Sequence, residues 1–315
     1  MCSYEMQYSE NKIEEIKEKV RNKYQTNFPD KMSRFTHILG VEKMASYLAL
    51  KYGIDESKAR IAALIHDYYK YEDESIMKTK IDPSDLVECE KYKVLYHSYA
   101  SSEALEHEFG IKDFEIKSAI RGHVFGHTNM TKLEEIILIS DYTEENRKYK
   151  DCIECRNIIL EGNLDKAIYL STLYTINHLK KENLEVHPMQ YEVLKEYERK
   201  IKMNKIETIY NGLKRVNPHD LVCYNTKEKS PFFDFVLIAS VDSMRQANVS
   251  VEYIKEELAK ENLSIKSSEG ENTEWVLIDG FDFLVHIMTD SERERIDIDK
   301  LFINYDKIDL SDIIK

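Results

Sequence analysis

The hydrophobic period of this chain changes once, near residue 200, and that switch commits it to two domains of different class. Before the switch, apolar residues recur at helical spacing. One face runs through Ile38, Val41, Ala45, Leu48 and Ala49; Gly53 and Asp55 interrupt it, and Ala59, Ala62, Ala63, Leu64 and Ile65 begin the next. Further helices are expected at residues 98–109, 113–121, 132–144, 149–160 and 164–181, with Pro29, Pro83 and Pro188 falling between blocks, where proline does least damage. The charged stretch 191–213 reads as a helix holding the boundary. Beyond it, residues 232–239, 275–279 and 283–288 are aromatic and β-branched runs of strand length, the last two forming an antiparallel hairpin across Gly280-Phe281-Asp282. Between them Ala247, Val251, Ile254 and Leu258 mark an amphipathic helix, and Ser243-Met244-Arg245-Gln246 has the form of a capping box at its start. The expected architecture is an all-α domain over residues 1–200, with its core at about 30–150, followed by a small α/β domain with a mixed sheet over residues 201–315.

A length of 315 residues suits two cores. No apolar stretch is long enough to span a membrane, and the first residues lack the basic start and apolar run of a secretory signal, so a cytoplasmic protein without a membrane partner is expected. The formal net charge of -13 argues against direct DNA binding. Residues 201–315 carry -7 of it, which suits a basic protein partner. Of the five cysteines, Cys152 and Cys155 have the spacing of a redox or zinc pair. No second pair accompanies them and they sit in a helical run, so they read as inert.

Eight of the 10 histidines lie in the first 190 residues. The apolar run Ala62-Ala63-Leu64-Ile65 ends in His66-Asp67, two ligand types about 100° apart around a helix axis, able to reach one metal ion if other helices complete the set. His37 lies on the upstream helix. Asp141 ends the run Ile136-Ile137-Leu138-Ile139-Ser140, where a buried carboxylate needs a cation or hydrogen-bond donors. A lone buried histidine is usually a packing residue; this ordered set on several helices is harder to dismiss.

Residues 30–150 resemble the HD superfamily of metal-dependent phosphohydrolases, and specifically the YqeK family that cleaves diadenosine tetraphosphate symmetrically to two ADP. The matching residues are Arg34-Phe35-Thr36-His37 with Gly40-Val41, Ala63-Leu64-Ile65-His66-Asp67-Tyr68-Tyr69-Lys70, His97, Ala119-Ile120-Arg121-Gly122-His123, Gly126 with Met130, and Asp141 through Arg147. The resemblance implies metal-ligand roles for His37, His66, Asp67 and Asp141, and for His97 and His123 at a second ion. Asp67 would bridge a binuclear divalent site, with iron favoured and manganese an alternative, and would be catalytic together with Lys70. Lys70, Arg121 and Arg147 are candidates for holding the phosphates of a dinucleoside polyphosphate, or for pairing with a carboxylate such as Glu144. His107 and His178 fit no role, and His127 departs from the family pattern. Neither GxxxxGK[ST] nor GxGxxG occurs, so metals and side chains must hold the phosphates.

Residues 203–303 resemble a second family, the ribosomal silencing factor RsfS or Iojap-related proteins, whose fold is nucleotidyltransferase-like. The match rests on Asp220-Leu221-Val222, Phe233 through Ser240, Ser243 through Ala247, Glu269-Gly270, Trp275 through Asp279 and Val285-His286-Ile287. It implies binding to the large ribosomal subunit through a basic ribosomal protein, blocking subunit joining. Arg245, Gln246, Trp275 and His286 are the interface candidates, each with a packing or capping role as the alternative. The family's aromatic-rich ending corresponds to residues 293–302 here, where an Ile replaces Tyr and Phe302 replaces Trp. Two further readings stand beside the fusion of a hydrolase with a silencing domain: an HD phosphohydrolase acting on mononucleotides or cyclic dinucleotides, and a catalytically inactive ribosome-interaction protein. A homodimer is one assembly state open to all three.

Overall fold

A computed structural model describes residues 7–314. The chain forms two compact units, residues 1–201 and 202–315. The first is helical: α1 (Glu10–Asn27), α2 (Met32–Tyr52), α3 (Glu56–Ile65), α4 (Glu74–Lys78), α5 (Leu86–Lys91), α6 (Leu95–His107), α7 (Phe114–Gly122), α8 (Lys132–Thr143), α9 (Lys150–Leu160), α10 (Leu164–Lys181) and the start of α11 (Pro188–Leu213). Gly53 ends α2 in the left-handed region, which costs glycine little, and Asp55 caps α3 by accepting from the Ser57 amide. Pro188 is the first residue of α11 rather than part of the preceding loop; its missing amide hydrogen leaves no helical bond unmade there.

Helix α3 is the axis of this unit. Every residue from Ile61 to Ile65 is fully buried, so the helix is apolar on all sides where it matters and α1, α2, α6, α7 and α8 pack around it. The short α4 and α5 lack a clear helical period and lie outside the expected blocks.

The second unit holds a six-stranded sheet in the order β3-β4-β5-β2-β1-β6, with β1 (His219–Asn225), β2 (Phe235–Val241), β3 (Ser267–Glu269), β4 (Trp275–Asp279), β5 (Phe283–Thr289) and β6 (Asp306–Lys307). The central β2 and β5 run parallel and the other pairs antiparallel, including the expected β4–β5 hairpin. All seven residues of β2 are buried because both sheet faces are covered. Ala247, Val251, Ile254 and Leu258 of α12 (Met244–Lys260), with Ile206, Ile209 and Leu213 of α11, cover one face; Ile298 and the segment through Tyr305, after the short α13 (Asp290–Ile296), pack on the other.

Three details differ from the sequence reading. The strand expected at 232–239 begins at Phe235 and leaves Phe232 exposed. Strands β1, β3 and β6 lack the apolar alternation that would announce them. The capping box is half made: the Ser243 hydroxyl accepts from the Gln246 amide, but the Gln246 side chain donates to the Val216 carbonyl. Cys152 and Cys155 are buried on α9, where burial pushes their thiols up to about 11 and about 12, as inert residues should be. Cys2 lies outside the described residues.

Candidate metal centre

Helix α3 stops at Ile65. His66 caps it, and the following backbone bonds are of the tighter i to i−3 kind, Tyr68 to Ile65 and Lys70 to Asp67. His66, Asp67 and Lys70 therefore leave the helix in successive tight turns rather than along one continuing spiral. Helix α2 supplies His37, α6 supplies His97, the end of α7 supplies His123 and α8 supplies Asp141.

Asp67 is fully buried and lies at the centre of this set. Its Oδ2 faces one group, 3.2 Å from His66 Nε2 and 4.0 Å from His37 Nε2. Its Oδ1 faces another, 3.2 Å from His97 Nε2 and 3.8 Å from His123 Nε2. Asp141 joins the first group, 2.9 Å from His37 Nε2 and 3.9 Å from His66 Nε2. Two clusters of potential metal ligands thus share one carboxylate.

The tautomers follow from the other side of each ring. His66 Nδ1 lies 2.6 Å from the Ala63 carbonyl and His123 Nδ1 lies 2.7 Å from the Ile120 carbonyl. A carbonyl only accepts, so both protons sit on Nδ1 and both Nε2 lone pairs face inward. His37 Nδ1 likewise donates to Glu144 Oε1 at 3.2 Å. That carboxylate reaches the ring because position 40 is glycine; a Cβ there would stand 2.3 Å from Glu144 Oε2. Arg156 holds the same corner, donating to the carbonyls of Thr143, Glu144 and Arg147. These are the outer contacts that orient metal-binding imidazoles.

The donor set fits divalent cations. The Nε2 atoms of His37 and His66 and both Asp67 oxygens are buried without a hydrogen-bond partner. His97 and His123 bring their Nε2 atoms within 3.2 Å of each other. Converging lone pairs of this kind are costly unless a cation lies among them. Burial favours the neutral carboxyl, yet the neighbouring His66 and Lys70 side chains hold Asp67 well below the usual carboxylate range. Burial likewise opposes Asp141, but the neighbouring His37 and the Arg147 charge hold it well below the usual carboxylate range. Burial pushes His97 and His123 toward the neutral form a metal requires.

Three cations stand around the carboxylates. Lys70 Nζ lies 3.0 Å from His97 Nε2 and 3.7 Å from Asp67 Oδ1. Arg147 lies 2.9 Å from Asp141, not against Glu144. Arg34 Nε lies 2.5 Å from Asp67 Oδ2. Arg34 belongs to the quoted sequence match but was given no role there; only the fold shows it reaching Asp67. Arg121 instead pairs with Asp85 and stacks 4.0 Å over the Tyr99 ring. His107 and His178 are exposed, and His127 bonds Glu134 at 3.0 Å.

In the second unit, Trp275 Nε1 donates to His286 Nδ1 at 3.2 Å, and burial pushes His286 down to about 4. Arg245 is exposed at the start of α12, while the Gln246 amide is committed to Val216. No helix among the described residues is long and apolar enough to cross a membrane.

The HD domain family matches residues 34–146, and the family described as ribosomal silencing factor during starvation matches residues 199–315. A symmetrical bis(5'-nucleosyl)-tetraphosphatase of Halalkalibacterium halodurans is 35% identical over 159 residues, covering 49% of this chain and 83% of that one. The ribosomal silencing factor RsfS of Chromobacterium violaceum is 31% identical over 92 residues, covering 29% of this chain and 75% of that one. The chain belongs to both families. It joins an HD-domain, metal-dependent hydrolase to a ribosomal silencing factor domain, as the sequence reading expected. A solved structure described as a predicted HD superfamily hydrolase involved in NAD metabolism, from Clostridium acetobutylicum, is 28% identical and superposes with a TM-score of 0.51, covering 62% of this chain and 100% of that one. The HD region of the fusion thus has the fold of its solved relative.

Proposed function

We propose that the HD unit hydrolyses diadenosine tetraphosphate symmetrically to two ADP, using two divalent cations, with iron favoured over manganese. In this reading His37, His66, Asp67 and Asp141 hold one cation, and His97, His123 and the other oxygen of Asp67 hold the second. The observation that carries it is the single buried carboxylate whose two oxygens face two separate histidine groups. When bound, the cations supply an activated water and neutralise charge on the phosphate under attack.

The chain's own residues do the rest. Glu144 fixes the His37 ring, and the Ala63 and Ile120 carbonyls fix His66 and His123. Arg34, Lys70 and Arg147 hold phosphate oxygens through charge-assisted bonds. Three side-chain cations face two carboxylates here, so bound metals leave a strong positive surplus. That surplus suits a chain of four phosphates better than a mononucleotide. The names of the H. halodurans relative and of its counterparts in Bacillus subtilis and Staphylococcus aureus point to the same reaction.

The silencing domain, in this proposal, binds the large ribosomal subunit and blocks subunit joining, with the acidic surplus of residues 201–315 meeting a basic ribosomal protein. The test is to load the full chain with ferrous iron or manganese, add diadenosine tetraphosphate and separate the products by ion exchange. ADP alone supports the proposal. ATP plus AMP, or no turnover with either metal, overturns the hydrolytic part. Failure to sediment with large subunits overturns the ribosomal part.

A further inference from the structure

The turn that carries His66, Asp67 and Lys70 is gripped by a part of the chain that precedes the HD family match. Helix α1 covers residues 10–27, and the match begins at residue 34. Tyr24 of α1 is 1% exposed, with its ring set edge-on to Phe28 and Tyr71. Its hydroxyl donates to the Asp67 carbonyl at 2.8 Å. That carbonyl also accepts from the Lys70 amide at 3.0 Å, so both of its acceptor positions are taken. The neighbouring residue of α1 adds a second hold: Lys23 pairs with Glu72 at 2.5 Å and lies over the rings of Tyr68 and Tyr69.

In a continuing α-helix the Asp67 carbonyl would take the amide of residue 71. Here α3 has ended, and the turn that follows makes only the poorer i to i−3 bond. The Tyr24 hydroxyl supplies the restraint that the helix no longer gives. On the far side of Tyr68, the Ser101 hydroxyl accepts from the Tyr69 amide at 3.1 Å. The peptide planes before and after Tyr68 are thus both pinned by side chains from other helices. Aspartate has only two side-chain torsions, so a fixed backbone leaves its carboxylate few positions. Asp67 needs that precision, because Oδ2 lies 3.2 Å from His66 Nε2 while Oδ1 lies 3.2 Å from His97 Nε2.

We infer that Tyr24 is a positioning residue of the metal centre: acting through the Asp67 carbonyl, its hydroxyl holds the carboxylate so that the two oxygens face both clusters at once. The inference rests on the two-cation reading of the HD unit. It adds that the bridge between the cations is set from α1, outside the motif that supplies the ligands.

Tyr24→Phe tests this in the full chain, because it removes the hydroxyl and keeps the packed ring. Tyr197→Phe is the control: its ring is also fully buried in the helical unit, but its hydroxyl donates at 2.5 Å to Glu135, which belongs to neither cluster. Manganese affinity is read by chelator competition, pairing of the ions by electron paramagnetic resonance, and folding by thermal unfolding of the metal-free chain. Both variants lose one buried hydrogen bond, so the metal-free melting temperature should fall in both. Only Tyr24→Phe is expected to weaken manganese binding, by about tenfold, and to move the signal of the coupled pair to about tenfold higher manganese. Two ions bound by Tyr24→Phe with wild-type affinity, or equal weakening in Tyr197→Phe, overturns the inference and leaves the two-cation reading standing. A wild-type chain that binds a single manganese overturns that reading and the inference with it.

Discussion

His123 and His286 sit in different units of the same chain and are almost equally buried, 3% and 6% exposed. Burial pushes both rings toward the neutral form. Their surroundings differ. His123 is held from behind by the Ile120 carbonyl and presents a lone pair to His97 and Asp67. His286 lies on β5 and takes a single bond from the indole of Trp275. Burial and a depressed pKa are therefore shared by a candidate ligand and by a sheet histidine, and neither marks a site. What separates them is convergence: several inward lone pairs around one carboxylate, with the rings of His37, His66 and His123 each fixed by an outer acceptor.

That contrast can be broken most severely at Asp67. Asp67→Ala removes the carboxylate shared by both candidate clusters, and metal-dependent turnover should fall by ~10³-fold or more, in keeping with the several kcal/mol such cations supply. Fluorescence of Trp275, the chain's one tryptophan, should be unchanged, because it reports the second unit. Retention of a tenth of the activity would remove the site assignment.

A smaller effect is expected one layer out. Glu144→Gln weakens the acceptor behind His37 and should lower metal affinity by about 10- to 100-fold in a chelator competition. Gly40→Ala should act in the same direction without touching a ligand, by displacing the Glu144 carboxylate. Normal metal affinity in both variants would show that the His37–Glu144 contact does not orient the ring.

The second unit should respond to pH where the first unit's ligands are not involved. The His286 ring has a folded pKa of about 4 against an ordinary value of 6.5. Its neutral form is favoured on folding, so its contribution is complete above about pH 6.5 and is lost as pH falls toward about 4. Between pH 7 and pH 5 the second unit should lose about 2 kcal/mol in urea unfolding followed by Trp275 fluorescence. His286→Gln should abolish that slope; an unchanged slope would assign it to other groups. The smallest effect is expected at Cys152 and Cys155, whose joint replacement by alanine should leave metal content and turnover unaltered. Loss of metal there would reverse their reading as inert.

Much of this was legible in the sequence. The order of candidate ligands His37, His66-Asp67, His97, His123 and Asp141 is a pattern of residue types along apolar runs, and helix ends bring such residues together wherever the runs pack around a central helix. The His286 strand and α12 were legible for the same reason of period. The Gly40–Glu144 contact was not, because a glycine in a helix carries no trace of the side chain that comes to lie on it from 104 positions away. Arg34 reaches Asp67 only through the crossing of α2 over α3. Arg121 carries the same charge as Arg147, but Asp85 claims it from a segment with no clear period. Strands β1, β3 and β6 are edge or near-edge elements whose pairing depends on neighbours rather than on their own alternation.

The most direct test of the account is the metal content of the full chain after loading with ferrous iron under anaerobic conditions, measured beside the double variant His97→Ala, His123→Ala. The bridging role of Asp67 predicts two ions per wild-type chain and one in the variant, with His37, His66, Asp67 and Asp141 retaining theirs. One ion per wild-type chain, unchanged in the variant, would contradict the two-cluster centre.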